Sequence, residues 1–435
     1  MRMRNIITNF LRNRFVRNVT VIATGTVIAQ IITLLLIPLI TRLYGPEAYG
    51  IMGTFMSMLA IIIPVAALTL PSGIVLPKNS IEAIDIIKAS LRISKILSVV
   101  VIILLIFFYN VIADILNLES VSILLFLIPV VILTACISQV LRQWLIRQSE
   151  FNILSKISIF EPLIIYGGMV TVGFFFPLAW VLIVFIAAKS AVSALLIFLS
   201  LSKKKDNIFT KIRERKSNLK KTLYKFRDFP LFRAPQELIN ATSQNLPVLM
   251  LATLIGPAAA GFYSIGRTAL SIPSQFIGNA VGDVFYPRVA KAANTNENIT
   301  NLLQKATLTL FIIGVIPFGT VMIFGPELFS LVFGDDWYIA GQYARWLSIW
   351  ILFNFSNKAC IRVLPVLSAQ GFHLKFTITT LVIRLMSLLW GLYFYQSDLV
   401  AIALFGLSGA ILEVLLILIT INKSKKFDMK RVERE

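Results

Sequence analysis

The stretch LYGPEAYGIM, Leu43 to Met52, separates two long apolar runs, and LIGPAAAGFY, Leu254 to Tyr263, does the same in the second half of the chain. Gly45, Pro46 and Gly50 map onto Gly256, Pro257 and Gly261 at one constant offset, and Pro77 and Lys78 map onto Pro287 and Arg288 one residue short of it. Two landmarks that hold their spacing across a whole apolar run point to an internal repeat. In each copy the Gly-Pro pair reads as a tight connection between a first and a second helix. Glycine permits the turn's backbone values, and proline at a helix start gives up an N–H that has no intrahelical partner.

The runs on either side set the class. The chain has 435 residues, 57% of them hydrophobic and 14% charged, far from the balance of a soluble domain. Runs of about 20 apolar residues, the length that crosses roughly 30 Å of hydrocarbon as a helix, recur throughout. Twelve are counted: about 19–40, 48–70, 93–113, 121–140, 158–176, 178–201, 229–255, 261–285, 302–324, 337–358, 374–395 and 398–421. The expected fold is therefore all-α and integral to a membrane, with twelve transmembrane helices in two six-helix bundles. The expected domains are an N-terminal bundle over 1–201, a basic linker over 202–228, a C-terminal bundle over 229–421 and a basic tail over 422–435. Six helices per copy give both copies the same orientation, related by an axis along the membrane normal, with a cavity between the halves.

The net charge of +20 would suggest nucleic acid in a soluble protein, so its placement matters. Apart from Arg42, Lys189, Arg233, Arg267, Arg345 and Arg384, the 41 Lys and Arg fall in the amino terminus, alternate loops and the carboxyl tail. The opposite loops hold acids such as Asp114, Glu119, Glu327, Asp335, Asp336 and Asp398. The positive-inside rule then places both termini in the cytoplasm. Nucleic acid is not needed to account for the charge, and the linker from Lys203 to Arg227 reads as a connector held near anionic headgroups. The basic first 18 residues resemble the start of a signal peptide, but the following run lacks a small-residue cleavage site and reads as an uncleaved first helix.

A charge near the bilayer centre costs on the order of 3 kcal/mol, so each one asks for a partner or a pathway. On a helical wheel, Arg233, Gln236, Glu237, Asn240, Ser243, Gln244 and Pro247 of the seventh run fall within roughly 120°. In the eighth, Tyr263, Arg267, Ser271, Ser274 and Gly278 fall within about 80°. The first run places Thr26, Gln30 and Thr33 on one face, the eleventh offers Thr377, Thr380, Arg384 and Ser387, the sixth Lys189 and the twelfth Glu413. The substrate-binding candidates are Arg233, Arg267, Arg384, Lys189, Gln30, Asn240, Gln244, Tyr263 and Ser271. Glu237 and Glu413 are candidates for ion coupling. The plainer alternatives are an Arg233–Glu237 pair four residues apart on one helix and snorkelling of Lys189 and Arg267. Guanidinium groups lining a wet cavity suit phosphate or carboxylate oxygens, so the inferred substrate is anionic.

The single histidine, His373, cannot build a His cluster, and no GxxxxGK[ST] loop is present. No metal, cofactor or catalytic residue is expected, and transport is the leading class over an enzyme. Cys136 and Cys360 read as packing residues.

The segments RLYGPEAYGIMGTFMSMLAIIIPVAAL, IGPAAAGFYSIGRTALSIPSQFIGNAVGDVFYPRVAKA and FGPELFSLVFGDDWYIAGQYARWLSIW resemble, in order and spacing, the bacterial polysaccharide biosynthesis proteins of the multidrug, oligosaccharidyl-lipid and polysaccharide exporter superfamily. That resemblance implies two alternating six-helix bundles in the bacterial inner membrane. It also implies translocation of an undecaprenyl-pyrophosphate-linked O-antigen or similar repeat unit to the outer leaflet, coupled to a proton or sodium gradient. Membrane lipids and other polysaccharide assembly proteins are the further partners it implies. The alternatives are a cation-coupled multidrug exporter of the same superfamily and, in a different class, a membrane glycosyltransferase or polymerase. The drug exporter is disfavoured because the first four helices carry no interior acid and Glu161 is expected near the end of the fifth.

Overall fold

A computed structural model describes residues 14–202, 212, 219–294, 297–367 and 369–432, and among them every regular element is helical. The basic stretches 203–211 and 213–218, and Arg2, Arg4 and Arg12, lie outside the described residues. The helical stretch Arg14–Ile62 breaks at Gly45 into limbs α1 (14–44) and α2 (46–62). There follow α3 (Ser80–Ile115), α4 (Leu127–Arg147), α5 (Phe151–Gly173), α6 (Ala179–Ser202), α7 (Ala234–Leu254), α8 (Pro257–Asn294), α9 (Ile299–Phe333), α10 (Tyr338–Ser356), α11 (Gln370–Tyr395) and α12 (Asp398–Val432). Eight helical stretches, counting 20–65 as one, are long and apolar enough to cross a membrane. Helices α7, α8 and α10 are not among them. The first two carry the polar stripes read from the sequence. The protein is a multi-pass membrane protein, and its outward side chains agree: Leu35, Ile103, Ile106, Phe107 and Val111 are exposed, Phe107 to 74%.

Contacts divide the chain into a unit ending at Ala258 and another beginning at Ala259. Helix α7 falls in the first unit, where it packs on the 14–62 stretch and on the short turn Ile63–Val65. In the first unit α1 lies along α5. Gly25 faces Ser155 with no room for a side chain, and the Tyr44 hydroxyl donates to the Met169 carbonyl at 2.8 Å while its ring covers Gly173. In the second unit Gly325 and Gly341 bring the backbones of α9 and α10 together, and Gly406 sits against the Trp346 carbonyl of α10. Small residues at such crossings are how helices pack tightly where lipid supplies no hydrophobic drive.

Several helix ends differ from the apolar runs, each for a local reason. The second run reaches residue 70, but α2 stops at Ile62 because Pro64 and Pro71 supply no N–H to continue it. The chain instead descends through 3-10 turns that bury Leu70 and Ile74 completely. Arg147 on α4 closes that descent by donating to the carbonyls of Ile74, Pro77 and Lys78. Helix α3 begins at Ser80 rather than near 93, since the Asn79 side chain accepts from the Ile81 N–H as an N-cap. Helix α12 runs on to Val432, well past 421, and its Asp428 carboxylate accepts from the Thr300 N–H and hydroxyl at the start of α9. Helix α5 starts at Phe151, seven residues before the expected 158, which moves Glu161 from the end of the helix to its middle.

The two Gly-Pro turns behave alike. Gly45 has φ 71° and ψ 174°, and Gly256 has φ 132°, both regions that side chains with a Cβ rarely adopt. A Cβ at either position would meet nothing within 4 Å, so the requirement is one of backbone and not of space. Gly45→Ala and Gly256→Ala are each expected to destabilise the protein by about 1–3 kcal/mol. Gly167→Ala, whose methyl also meets open space but on a regular helix, should be neutral or stabilising. Thermal unfolding of the three variants in detergent checks the ordering.

Candidate functional site

In the first unit, α2, α4, α5 and α6 line an open cavity of about 450 Å³. Its apolar lining is Met56, Leu59, Ala60, Ile63, Val131, Ala135 and Ile186, and its polar lining is Ser138, Gln139, Arg142, Glu161, Lys189, Ser190 and Ser193. On α4, Arg142 lies within one turn of Ser138 and Gln139, and on α6 Ser193 lies within one turn of Lys189 and Ser190, so each helix brings its polar residues together. Arg142 pairs with Glu161, their side chains 32% and 12% exposed. The guanidinium also donates from Nε and NH2 to the Ser193 hydroxyl, at 3.2 and 2.7 Å. Ser138 donates to Ser193 at 3.0 Å, and the Thr134 and Ser190 hydroxyls meet at 2.8 Å. Lys189 reaches this wall with no hydrogen bond or ion pair to any described residue. The charges lining the cavity are two cations and one carboxylate.

The second unit gathers its charges differently. The Arg384 guanidinium lies 3.6 Å from the centre of the Trp350 ring and 3.9 Å from that of Phe405. Its Nε and Nη2 are closed from solvent and have no hydrogen-bond partner among the described residues. Two desolvated cation–π contacts contribute about 2 kcal/mol each, against about 1–3 kcal/mol for each orphaned donor, so the aromatic rings hold the cation without fully satisfying it. Gly409 makes the arrangement possible, since a Cβ there would stand 3.0 Å from Arg384 Nε and 2.9 Å from Trp350. Glu413, one turn further along α12, accepts from the side-chain amides of Asn354 and Asn357. Tyr263, Arg267 and Glu413 all lie within electrostatic reach of Arg384. Tyr263 is 1% exposed and meets the Phe405 ring edge-on at 6.2 Å. The buried Ser274 hydroxyl, Thr380 hydroxyl and Asn357 Oδ1 are likewise without partners among the described residues.

The structure thus collects Tyr263, Arg267, Arg384 and Glu413 in one unit and places Lys189 on a cavity wall in the other. It does not gather the rest. Arg233 is exposed and stacks over Phe229 at 5.8 Å, on a π-helical turn, Phe229–Arg233, that precedes α7. No ion pair joins it to Glu237, so the expected pair on one helix does not form among the described residues. Glu237 and Asn240 are half-buried and Gln244 exposed. Gln30 is half-buried on α1, but Thr26 and Thr33 beside it turn their hydroxyls back onto the carbonyls of Ile22 and Ala29, which consumes most of that polar face. Ser271 donates to the Thr268 carbonyl at 2.8 Å. Gly278 belongs to a part of α8 whose side chains lie outside the described ones. Cys136 and Cys360 are both free and buried.

Sequence reasoning missed Arg142 and Glu161. Arg142 counts among the loop charges when the fourth run is ended at 140, and Glu161 appears peripheral when the fifth begins at 158. The available signal was the serine pattern: Ser190 and Ser193 on the sixth run repeat the spacing of Ser138 and Arg142 closely enough to mark a shared polar face.

Helical elements throughout the described residues, outward apolar surfaces and charges withdrawn into each unit define a multi-pass membrane protein. The model of the polysaccharide biosynthesis protein family matches residues 15–293, and the chain belongs to that family. It is 24% identical over 238 residues to the teichuronic acid biosynthesis protein TuaB of Bacillus subtilis (strain 168), covering 53% of this chain and 46% of that protein. It is also 24% identical over 248 residues to the lipopolysaccharide biosynthesis protein WzxC of Escherichia coli (strain K12), covering 55% and 48%. The chain therefore spans about half the length of the curated relatives it matches. An inward-facing multidrug resistance MATE transporter of the MOP superfamily superposes with a TM-score of 0.69 at 15% identity, over 90% of this chain and 95% of that one. The lipid II flippase MurJ, inward closed, gives 0.69 at 14%, over 94% and 90%. These share the fold, and the equal scores leave the choice between their chemistries to the residues.

Breaking a buried ion pair from one side leaves the other charge uncompensated, at a cost of about 3–5 kcal/mol when fully buried. Arg142→Met is expected to lower the unfolding temperature clearly, and the double variant Arg142→Met, Glu161→Gln to recover most of that loss. Equal losses in the two would show that the pair contributes only packing.

Proposed function

We propose that the chain is a flippase for lipid-linked saccharides: it carries an undecaprenyl-pyrophosphate-linked repeat unit of a surface polysaccharide from the cytoplasmic to the outer leaflet of the bacterial inner membrane. The observation that carries this reading is a cavity with two cations and one carboxylate, set among helices whose outer faces are apolar, in a member of the polysaccharide biosynthesis family. An unsolvated charged or hydroxyl-rich headgroup pays heavily in hydrocarbon, and a polar passage with the lipid tail left in the bilayer removes that cost.

In this proposal twelve segments cross the membrane and both termini are cytoplasmic. The two limbs around Gly45 count separately, and α7, α8 and α10 cross despite their polarity. In the second unit Arg267 and Arg384 meet the pyrophosphate and Tyr263 and Ser271 offer it hydrogen bonds, and in the first unit Gln30, Asn240, Gln244 and Arg233 offer theirs to the headgroup. Alternating access moves the loaded site from one side to the other. A proton or sodium gradient drives it through Glu237 and Glu413, and other polysaccharide assembly proteins supply and remove the substrate. The fold equally supports a drug exporter, but the acid in the cavity, Glu161, is already neutralised by Arg142 and leaves no free carboxylate for a cationic drug.

Proteoliposomes carrying a fluorescent undecaprenyl-pyrophosphate oligosaccharide should expose the sugar on the opposite leaflet faster than protein-free vesicles. Arg384→Ala and Arg267→Ala should slow this by about tenfold or more, the loss of one charge-assisted hydrogen bond. No acceleration with several glycans, alongside export of a lipophilic cation, would replace the flippase with the drug exporter.

A further inference from the structure

The cavity of the first unit specifies more than an anionic substrate. Three charged groups line it, and two of them, Arg142 and Glu161, neutralise each other. Ser193 is taken up by Arg142 and Ser138, and Ser190 by Thr134. Two donors remain unspent: the Lys189 ammonium and the Gln139 amide, neither bonded to a described residue. The rest of the lining is apolar: Met56, Leu59, Ala60 and Ile63 on α2 and its following turn, Val131 and Ala135 on α4, and Ile186 on α6.

A ligand that fits has three properties. It carries one negative charge, because the cavity offers one uncompensated positive charge, and a pyrophosphate would bring more charge than Lys189 can balance. It carries a hydroxyl beside that charge, for the unspent Gln139 amide. It also presents apolar surface, since seven of the fourteen lining residues are hydrophobic. A hexuronate meets all three: its carboxylate is a monoanion, its hydroxyls lie around the ring edge, and the C–H bonds of the pyranose make an apolar face. The volume of about 450 Å³ lies in the lower half of the range of about 300–1,000 Å³ for small-ligand sites, so it has room for one or two sugar units.

We propose that this cavity is a recognition site for an acidic sugar of the uronate type, with Lys189 receiving the carboxylate and Gln139 an adjacent hydroxyl. Arg142 and Glu161 act as positioning residues that hold α4, α5 and α6 around it. The proposal rests on the flippase reading, in which the uronate is a unit of the lipid-linked chain. A free sugar acid has the same chemistry, and the two sources are separable.

The test is binding of radiolabelled glucuronate and glucose to the full chain in nanodiscs. Glucuronate should bind at least about tenfold more tightly than glucose, as one charge-assisted hydrogen bond predicts. Lys189→Gln should erase the preference and Lys189→Arg should keep it. Gln139→Glu, which brings a resident carboxylate at unchanged size, should abolish glucuronate binding and serves if Lys189→Gln does not fold. Equal binding of glucose, a preference that survives Lys189→Gln, or tighter competition by inorganic pyrophosphate at the same site would overturn the proposal. Flipping assays on lipid-linked glycans with and without a uronate separate the two readings. Equal rates would remove uronate selectivity and leave the flippase, whereas Lys189-dependent glucuronate binding with no flipping of either glycan would remove the flippase and leave a site for the free acid.

Discussion

A guanidinium surrounded by apolar helices has to find its partners inside the protein, because hydrocarbon supplies none. The pairing of Arg142 with Glu161, tied down by Ser193, is the place where the first unit meets that constraint, and much else follows from it. It fixes α4, α5 and α6 at the distance that leaves a cavity between them. It also cancels the one acid present, so that Lys189 decides the sign of what can enter.

The second unit answers the same constraint with different chemistry. Arg384 is held by two ring faces and Glu413 by two amides, so each ion is stabilised without the two neutralising each other directly. An ion pair in low dielectric is hard to separate, whereas a cation on aromatic faces retains its donors. Among the described residues, the donors of Arg384 and the Ser274 and Thr380 hydroxyls that find no partner are therefore groups with bonding capacity still to offer. This asymmetry between the units persists although their entry turns, Gly45-Pro46 and Gly256-Pro257, use the same backbone device.

Much of the architecture was legible in the sequence because the solvent imposes it. Apolar length sets the helices, and the Gly-Pro turns announce backbone values that only glycine holds comfortably. Helix ends were less legible. Asn79 and Asp428 lengthen helices from outside the apolar runs by capping, and Pro64 and Pro71 shorten one from within. Those shifts decided the reading of the site, since moving the start of α5 to Phe151 turns Glu161 from a peripheral acid into a central one. Wheel geometry singled out Tyr263, Arg267 and Arg384 because their polarity contrasts with their own helices, and the structure brings Tyr263 and Arg267 within electrostatic reach of Arg384. A wheel shows which way a residue points, but not that Arg233 lies over the Phe229 ring or that a threonine hydroxyl beside Gln30 is spent on its own helix.

The central claim is that the charged groups withdrawn into the helices form the path of the sugar headgroup. Photo-crosslinking tests it most directly, with a diazirine placed on the saccharide of an undecaprenyl-pyrophosphate-linked glycan and adducts mapped by mass spectrometry on the protein in nanodiscs. The account predicts adducts on the cavity segments around Ser138–Arg142 and Lys189–Ser193. Equal labelling of lipid-facing positions such as Leu35 and Phe107, with none in the cavity, would contradict it.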